Sequence, residues 1–394
     1  MSERIQRRLW AGVLVAAVSL TFATYRLWRY SRTVAVAPTT SGYGLVYVSN
    51  RDGSYRLYTC GPLGENDRPL PGSVAGDVLP ACQTGASEGN TSAAVAFLRV
   101  TDPERGADEV GMLGAVCVLP EGRREAITVS GAIARVLTVA PAWSPSGDRI
   151  AFAAVEDSNA DGKFTADETG LYIATLDGHA PTRVAAGPGD DTNLSWSPNG
   201  KALLFQTRSA GRWWPTARLL DLADNSIVTR DEQTTVACWS PDGQHIAAYG
   251  MIDRRVHVLS ATDGSEEYSV DGPQGDWQAA LTYLAWLPEE GTSGQWLALV
   301  SQSSSQLPGV LYVRRAEADS ALKWKPLEKG INHAMFPAVS PDGKWIAFSV
   351  PGPSRNDLSL VTLPVGGKPV TLFPDTSFSG LACWRSHPAR DDQQ

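Results

Sequence analysis

Short runs of apolar residues, each interrupted by a turn-forming segment, recur along this chain. The segment PAWSPSGDRIAF at 141–152 returns as LSWSPNGKALLF at 194–205, as ACWSPDGQHIAA at 237–248 and as PAVSPDGKWIAF at 337–348. Each copy predicts two strands joined by a tight turn, in which proline presets φ and glycine takes a positive φ. A period of this size predicts stacked supersecondary units rather than one mixed core.

Each predicted turn is preceded by an anchor residue, usually tryptophan, and the residue before the anchor is small. Degenerate copies extend the series in both directions, and successive anchors are 43 to 61 residues apart. We therefore predict an all-β, seven-bladed β-propeller with about four strands in each blade. Six blades is the alternative, if the unit around Cys82 is irregular. The anchors are Cys82, Trp143, Trp196, Trp239, Trp286, Val339 and Trp384.

The two ends of the repeat region complement each other. Leu381–Trp384 reads as a first strand with no second strand after it, and Leu45–Ser49 reads as a second strand with no first strand before it. Pairing of these two segments would close the ring and remove its exposed sheet edges. We place the propeller at residues 43–388 and a tail at 389–394.

The repeat, with its Ser-Pro-Asp-Gly turn, Ile-Ala-Phe second strand and third strands such as Leu171–Thr175, resembles a known family. It is similar to the WD40-like (PD40) repeat of TolB-type β-propellers over about residues 43–388. The resemblance implies protein–protein contacts at the cell envelope, with peptide segments bound at one face of the disc. The chain departs from TolB in its predicted N-terminal anchor and in lacking an evident N-terminal α/β domain.

The N-terminal segment differs in kind from the repeats. Leu9–Tyr25 is an almost uninterrupted apolar run, flanked by three arginines on each side. Its seventeen residues just reach the length that a helix needs to span a membrane. We therefore predict one N-terminal transmembrane helix as a signal anchor at 9–25. We expect a short cytoplasmic tail at 1–8, a linker at 26–42 and an extracytoplasmic propeller. The alternative is a cleaved signal peptide and a secreted or periplasmic protein.

Charge narrows the choice of partners. Six of the 34 basic residues but only one of the 42 acidic residues fall in the first 32 positions, so the remainder has a net charge of −13. An acidic body argues against nucleic-acid binding, which requires a basic face. The oligomeric state does not follow from the sequence.

The five cysteines form no obvious disulfide framework. Cys238 and Cys383 occupy the small position beside a tryptophan, so we expect buried thiols there. A Cys60–Cys82 bridge is one pairing that an oxidising compartment would allow. The odd number leaves at least one thiol unpaired within a monomer.

One segment carries a specific chemical motif. DSNADGKFTADE at 157–168 matches the twelve-residue calcium loop, with oxygen donors at positions one, three, five, seven, nine and twelve and glycine at six. We expect a structural Ca²⁺ ion in a long hairpin connection between two strands. The predicted ligands are Asp157, Asn159, Asp161, the Lys163 carbonyl, Thr165 and Glu168.

The connections between second and third strands differ most from copy to copy, so they predict a variable binding face on a rigid scaffold. One of them contains Arg212, Trp213 and Trp214, which are typical of recognition hot spots. We interpret them as candidate contacts for a protein or peptide partner. These connections are Thr101–Asp108, the calcium loop, Arg208–Thr216, Ser301–Gly309 and Pro351–Asp357.

Catalytic signatures are weak. The five histidines are scattered over different predicted blades, and the chain has no Gly-x-Ser-x-Gly nucleophile elbow. We therefore expect a protein that is not an enzyme, namely a membrane-anchored, extracytoplasmic propeller acting as a protein-binding or scaffold module. The alternative is a carbohydrate-binding or carbohydrate-cleaving propeller, similar to oligogalacturonate lyase.

Overall fold

The computed structural model consists of β-strands and their connections. It describes residues 43–83, 94–102, 111–133, 135–137, 139–165, 168–186, 192–207, 216–228, 234–273, 279–287, 294–302, 309–327, 334–351, 358–364, 369–372 and 379–386.

The strands follow one another as antiparallel hairpins, which is the local structure that the repeated turn predicts. They are β1 (Tyr43–Ser49), β2 (Arg56–Cys60), β3 (Arg68–Pro69), β4 (Asp77–Cys82), β5 (Val95–Asp102), β6 (Met112–Leu119), β7 (Ile127–Thr128), β8 (Arg135–Val136), β9 (Ala142–Trp143), β10 (Arg149–Val155), β11 (Thr169–Thr175), β12 (Thr182–Ala186), β13 (Thr192–Trp196), β14 (Ala202–Thr207), β15 (Thr216–Asp221), β16 (Ile227–Val228), β17 (Thr234–Trp239), β18 (His245–Gly250), β19 (Arg255–Ser260), β20 (Glu266–Asp271), β21 (Ala279–Leu287), β22 (Gln295–Gln302), β23 (Gly309–Arg315), β24 (Lys325–Pro326), β25 (Met335–Val339), β26 (Trp345–Pro351), β27 (Leu358–Pro364), β28 (Val370–Thr371) and β29 (Ser379–Ser386).

These strands form the blades of a β-propeller, but not in the predicted number. Five blades are separate four-stranded sheets, with orders β29-β1-β2-β3, β13-β14-β15-β16, β17-β18-β19-β20, β21-β22-β23-β24 and β25-β26-β27-β28. The structure therefore shows five such blades, and the predictions of seven and of six are wrong.

The remaining strands form one nine-stranded sheet, where the sequence predicts two blades. It contains the runs β4-β5-β6-β7 and β9-β10-β11-β12, joined by the short strand β8. Arg135 and Val136 pair with Leu113 and Met112 on one side and with Val155 and Ala154 on the other. An extra strand that hydrogen-bonds to both runs makes them one sheet. The repeat phrase gives no sign of it, because β8 precedes the phrase that begins at Pro141.

The chain ends pair as predicted. In the antiparallel ladder between β1 and β29, Leu45 lies opposite Trp384 and Val46 opposite Cys383. The first blade thus takes its innermost strand from the C-terminal part of the chain. The predicted closure is confirmed.

Most of the hydrophobic core lies between consecutive sheets, and one further cluster lies between the two runs of the nine-stranded sheet. One cluster joins Leu297 of β22 to Phe348 of β26, and the next joins Trp345 of β26 to Tyr47 of β1. A further cluster continues from Val46 of β1 to Phe97 of β5. The final and first blades therefore share apolar contacts just as sequential neighbours do, and the ring is closed by packing as well as by pairing.

The repeated turns are fixed by one hydroxyl. Ser240 Oγ donates to Asp242 Oδ1 at 2.6 Å and accepts from His245 N at 2.9 Å. Ser197 and Ser340 make the corresponding bonds in their own turns. The glycine that follows, such as Gly243 at φ 70°, takes the left-handed conformation that closes the turn.

The predicted anchor helix at 9–25, the tail at 1–8 and the linker at 26–42 lie outside the described residues. Within the part of the chain that the structure describes, no helix has the length and apolar character needed to cross a membrane.

Candidate functional site

The two ends of each sheet carry different connections. The Ser-Pro-Asp-Gly turns join first to second strands at one end, and the second-to-third strand connections leave from the other, because successive hairpins in an antiparallel sheet alternate ends. Consecutive blades run in the same strand order, so we refer to the side with the second-to-third connections as the loop face. Its described segments include 50–55, 251–254 and the calcium loop up to Thr165.

Large apolar side chains are exposed on the loop face. Tyr55 is 46% exposed and Ile252 is 65% exposed, each in a second-to-third connection. Val74, 48% exposed, follows the last strand of the first blade. Gly76 N donates to Tyr55 O at 2.9 Å, which brings the segments of Tyr55 and Val74 together. The predicted contacts Arg212, Trp213 and Trp214 lie outside the described residues.

The first half of the calcium loop folds around its own backbone. Asp157 Oδ1 and Asn159 Oδ1 both accept from Asp161 N, at 3.1 and 2.8 Å, and Asp157 Oδ2 accepts from Gly162 N at 2.9 Å. Asp161 Oδ1 in turn accepts from Lys163 N at 2.8 Å. Gly162 has φ 78°, which supplies the sharp bend that position six of such a loop requires. Three predicted donor side chains are thereby gathered at one bend.

The second half of the loop is organised by Glu168. Its Oε1 accepts from Ser158 N and Ser158 Oγ, both at 3.1 Å, and its Oε2 accepts from Thr165 N at 3.1 Å and Thr165 Oγ1 at 3.2 Å. The amide hydrogen bond from Thr165, followed by the bonds from Ser158, lowers the pKa of Glu168. Glu168 is therefore ionised. It accepts hydrogen bonds from Thr165, a predicted ligand, and from Ser158, which is next to the predicted ligand Asp157.

The loop fits a calcium ion in its donor chemistry but presents its donors in two groups. Asp157, Asn159 and Asp161 are turned to local amides, and Glu168 is turned to Ser158 and Thr165. Across the described ranges, no three His, Cys, Asp or Glu side chains come together as a metal-binding cluster. A bound ion would have to draw the two groups together, in exchange for their present hydrogen bonds.

The base of the loop is attached to the core. Phe164 packs against the apolar cluster between β10–β11 and β14–β15. The Arg135 guanidinium lies over the Phe164 ring at 4.5 Å from its centroid. Tyr172 Oη donates to Glu156 Oε2 at 2.9 Å at the start of the loop. Contacts with the core therefore hold the loop at Glu156, next to its first residue, and at Phe164 in its second half.

The described histidines lie apart from one another. His257 on β19 reaches Asp253 Oδ2 from Nε2 at 2.8 Å and Glu266 Oε2 from Nδ1 at 3.1 Å. His245 on β18 reaches Glu267 Oε2 at 3.1 Å, and His179 pairs with Asp177 in an exposed turn. Each of the three is engaged with carboxylates of its own neighbourhood, and the structure does not bring them to one centre.

The cysteine prediction needs correction. Cys82 and Cys383 form a disulfide, with their Cα atoms 5.7 Å apart, so Cys383 is not a free thiol and Cys82 is not bridged to Cys60. Cys60, Cys117 and Cys238 are free. Burial raises the pKa of the Cys60 thiol, which keeps it protonated and a poor nucleophile for exchange.

The sequence contains a signal that could have revealed this bridge. Trp143 Nε1 donates to Ala81 O at 2.9 Å and Trp196 Nε1 to Ala142 O at 3.0 Å, so an anchor contacts the small residue of the preceding unit. Cys82 occupies an anchor position, and Cys383 the small position of the unit before it. The register of the repeat therefore places the two cysteines together.

Comparison with known proteins shows a shared fold. No protein-family profile matches the chain, and neither does any curated protein. The solved structures that match include TolB from Acinetobacter baumannii, at 13% identity and a TM-score of 0.47 over 86% of this chain. The match covers 66% of that TolB structure.

Other matching structures are named as enzymes. The periplasmic gluconolactonase of Pseudomonas aeruginosa matches at 13% identity and a TM-score of 0.55, over 88% of this chain and 99% of its own. A puromycin-hydrolysing peptidase of Mycobacterium tuberculosis matches at 15% identity and a TM-score of 0.56, over 82% of this chain and half of its own. An oligogalacturonate lyase in complex with manganese matches at 13% identity and a TM-score of 0.54, over 88% and 87% of the two chains.

These matches overturn the expectation that the chain is not an enzyme. That expectation treated the fold as typical of binding modules, but proteins named as a gluconolactonase, a peptidase and a lyase share it. At such identities the likeness concerns the fold alone, so the carbohydrate alternative stays a prediction. The chain has a β-propeller fold that it shares with these solved structures.

Proposed function

We propose that this propeller recognises a protein or peptide partner through its loop face. The observation that carries the proposal is the exposure of Tyr55 and Val74 on adjacent segments of that face. Exposed large apolar side chains on neighbouring segments mark interaction sites, and tyrosine is enriched among hot-spot residues. The chain's acidic body would favour a partner with basic residues around an apolar centre.

A rigid scaffold supports this role. The segment of Tyr55 is held at Arg51, whose guanidinium lies 3.8 Å from the centroid of the Tyr58 ring and donates to Asp67. Asp67 Oδ1 also accepts from the buried Tyr47 hydroxyl at 2.6 Å. Because these contacts fix the connection before a partner arrives, little ordering of the protein is needed on binding.

Site-specific photocrosslinking tests this proposal. With p-benzoylphenylalanine in place of Tyr55 in full-length protein in native membranes, we expect a discrete crosslinked species. Position 176, where Leu176 is 39% exposed in the β11–β12 turn at the opposite end of its sheet, is the matched control. The species should be absent there, and Val74→Asp should weaken it at position 55. Equal crosslinking at both positions, or none at position 55, would contradict the proposal.

We also propose that the propeller lies outside the cytoplasm, held by the segment Leu9–Tyr25. The Cys82–Cys383 disulfide supports this location, because such bonds persist in oxidising compartments. Alkaline carbonate should leave the full-length chain in the membrane pellet, and removal of residues 1–42 should release it. Recovery of the full-length chain in the soluble fraction would contradict the anchor.

We further propose that the loop 157–168 binds a structural Ca²⁺ ion. Asp157, Asn159, Asp161, the Lys163 carbonyl, Thr165 and Glu168 would hold it, and its charge would offset the carboxylates they supply. Calcium at about a hundred times its dissociation constant stabilises a protein by about 2.7 kcal/mol. We expect calcium to raise the melting temperature of the wild type.

The matched variants separate binding from general charge effects. Asp157→Ala with Asp161→Ala should abolish the calcium shift. Asp224→Ala with Asp263→Ala, which removes two exposed turn carboxylates elsewhere, should preserve it. A wild type that does not respond to calcium would refute the site.

A further inference from the structure

A cavity of about 500 Å³ lies between the blade β17–β20 and the blade β21–β24. Its walls are the outer strands β19 and β20 on one side, and β23 with the connection to β24 on the other. The volume falls within the range of about 300–1,000 Å³ that is usual for small-molecule sites. Its chemistry is set by Arg255, Asp271, Tyr312, Arg314, Lys323 and Trp324.

One wall is built around a buried guanidinium. Arg314 is 4% exposed, and its Nε and Nη atoms donate to the main-chain carbonyls of Leu322, Arg315, Glu317 and Asp319 at 2.7 to 3.2 Å. Among the described residues, no carboxylate lies within ion-pairing distance of it. Burial lowers the pKa of Arg314, and arginine remains charged regardless. Its hydrogen bonds in the described part of the chain go to main-chain carbonyls, while Asp271, Glu317 and Asp319 act on it only from beyond ion-pairing distance, so it contributes a positive potential to the cavity.

The opposite wall is held in place across the blade boundary. Trp324 Nε1 donates to Asp271 O at 2.8 Å, which links the two blades at the cavity. Arg255 donates from Nη1 to Asp271 Oδ1 at 2.8 Å, and from Nε and Nη2 to Ser269 at 3.1 and 2.9 Å. Trp324 stacks on Trp296, with ring centroids 6.1 Å apart. The cavity is therefore formed before any ligand binds.

The charges that line the cavity are unbalanced. Three cationic side chains, Arg255, Arg314 and Lys323, face one carboxylate, Asp271, which Arg255 already engages. Lys323 is exposed and has no carboxylate partner in the described part of the chain. A local excess of positive charge along a cavity attracts an anionic ligand.

We propose that this cavity binds a small aromatic carboxylate. The carboxylate would lie by Lys323 and Arg255, and the ring would pack against Trp324 and Tyr312. A carboxylate would form a charge-assisted hydrogen bond with the ammonium group of Lys323, and a planar apolar ring would pack against the aromatic rings of Trp324 and Tyr312. This site is independent of the partner proposed for the loop face, because it uses none of the same side chains.

Fluorine NMR on the full-length protein in detergent tests the site. The probe is 4-(trifluoromethyl)benzoate, and 4-(trifluoromethyl)benzamide is its neutral counterpart of the same shape. We expect the benzoate signal to broaden and saturate with protein, and the amide to bind roughly tenfold more weakly because it lacks the charge-assisted bonds. Added salt should weaken only the benzoate.

Two lysine variants localise the binding. Lys323→Gln should weaken benzoate binding by about fivefold or more, because it removes the unpaired cation. Lys201→Gln, an exposed lysine in another blade, should leave it unchanged. Both variants should melt like the wild type, since neither lysine is buried. Equal affinity for benzoate and benzamide, no saturable broadening, or an unaffected Lys323→Gln variant would overturn the proposal.

Discussion

Two kinds of junction hold consecutive blades together. At the repeated junctions an anchor tryptophan donates Nε1–H to the carbonyl of the small residue in the preceding unit, as Trp196 does to Ala142 at 3.0 Å. At the junction between the first blade and β4, the same two positions hold Cys82 and Cys383, which are joined covalently. The ring is thus held by hydrogen bonds at the repeated junctions and by a disulfide bond at the junction between the first blade and β4.

The difference follows from how each blade is assembled. An ordinary blade takes its strands from consecutive sequence, so its first strand is tethered to the rest by a tight turn. The strand β29 has no such tether, because its blade partners begin at Tyr43. It is held by its ladder with β1, by Trp384 Nε1 donating to Ala338 O at 2.9 Å, by Arg385 pairing with Glu121 at 2.9 Å and by the disulfide. Covalent reinforcement occurs where chain connectivity is missing.

The largest effect should come from removing the closing strand. Removing residues 378–394 takes away β29 and exposes the edge of β1 and the apolar cluster around Tyr47. We expect the melting temperature to fall by more than about 10 °C, with increased aggregation. Removing residues 387–394 alone should change it little. An unchanged melting temperature after loss of β29 would mean that pairing of β29 with β1 does not stabilise the propeller.

Loss of the disulfide should have the next largest effect. Cys383→Ser should lower the free energy of unfolding by about 2–5 kcal/mol, and the melting temperature by roughly 4–10 °C, because the strand loses its covalent tether. Cys238→Ser, at the same repeat position but with a free thiol, is the control and should cost far less. A reductant should reproduce the effect in the wild type and add nothing to Cys383→Ser. An equal cost for both serine variants would remove the distinction between the junctions.

A smaller effect is expected at the repeated junctions. Trp196→Phe leaves the Ala142 carbonyl without its donor and should cost about 1–2 kcal/mol in urea unfolding. Trp239→Phe should cost less, because its bond to Ser195 O is longer, at 3.4 Å. The two variants lose the same atoms, but Trp196 is more buried than Trp239 and lies 4.7 Å from the Arg149 guanidinium, so these contacts add to the difference that the hydrogen bond makes. A larger loss of stability in Trp239→Phe than in Trp196→Phe would show that packing, rather than the hydrogen bond, sets the cost of the substitution.

The smallest effect concerns one turn. Ser146 takes the turn position held elsewhere by Asn199 or Asp242, and its hydrogen bond is the main cause of the lowered pKa of Asp148. A carboxylate with a lowered folded pKa adds stability above its unfolded pKa, and this is lost as the pH falls through the folded value. Ser146→Ala should raise the pKa of Asp148 in an NMR titration and shrink the acid-dependent part of the stability. Asp177, with a pKa of about 2, should be unaffected.

The repeat predicted the fold because its register is local. Proline and glycine in each turn, and the alternation on either side, dictate hairpins whatever surrounds them, and the orphan strands at 45–49 and 381–384 dictate closure. Blade separation could not be predicted, since β8 pairs with two runs through backbone groups that any residue supplies. The disulfide was predictable only by comparing anchor and small positions around the ring.

The candidate sites show the same division. The linear motif at 157–168 predicts a calcium loop, which stays a prediction, but the motif does not reveal that Ser158 and Thr165 donate hydrogen bonds to Glu168. The cavity beside Arg314 carries no linear signal, because its lining comes from Arg255 to Gly272 and from Tyr312 to Trp324. Sites assembled across a blade boundary depend on tertiary contacts that a single sequence does not encode locally.

The position of β29 imposes an order on biogenesis. During synthesis Cys82 emerges 301 residues before the cysteine that it bonds to, and β1 emerges still earlier relative to its partner strand. Until Ser379 and its followers arrive, every intermediate is an open arc with a bare inner edge, which a holding chaperone would have to shield. A product of synthesis that stops before Ser379 therefore contains every other strand but can form neither the β1–β29 ladder nor the disulfide.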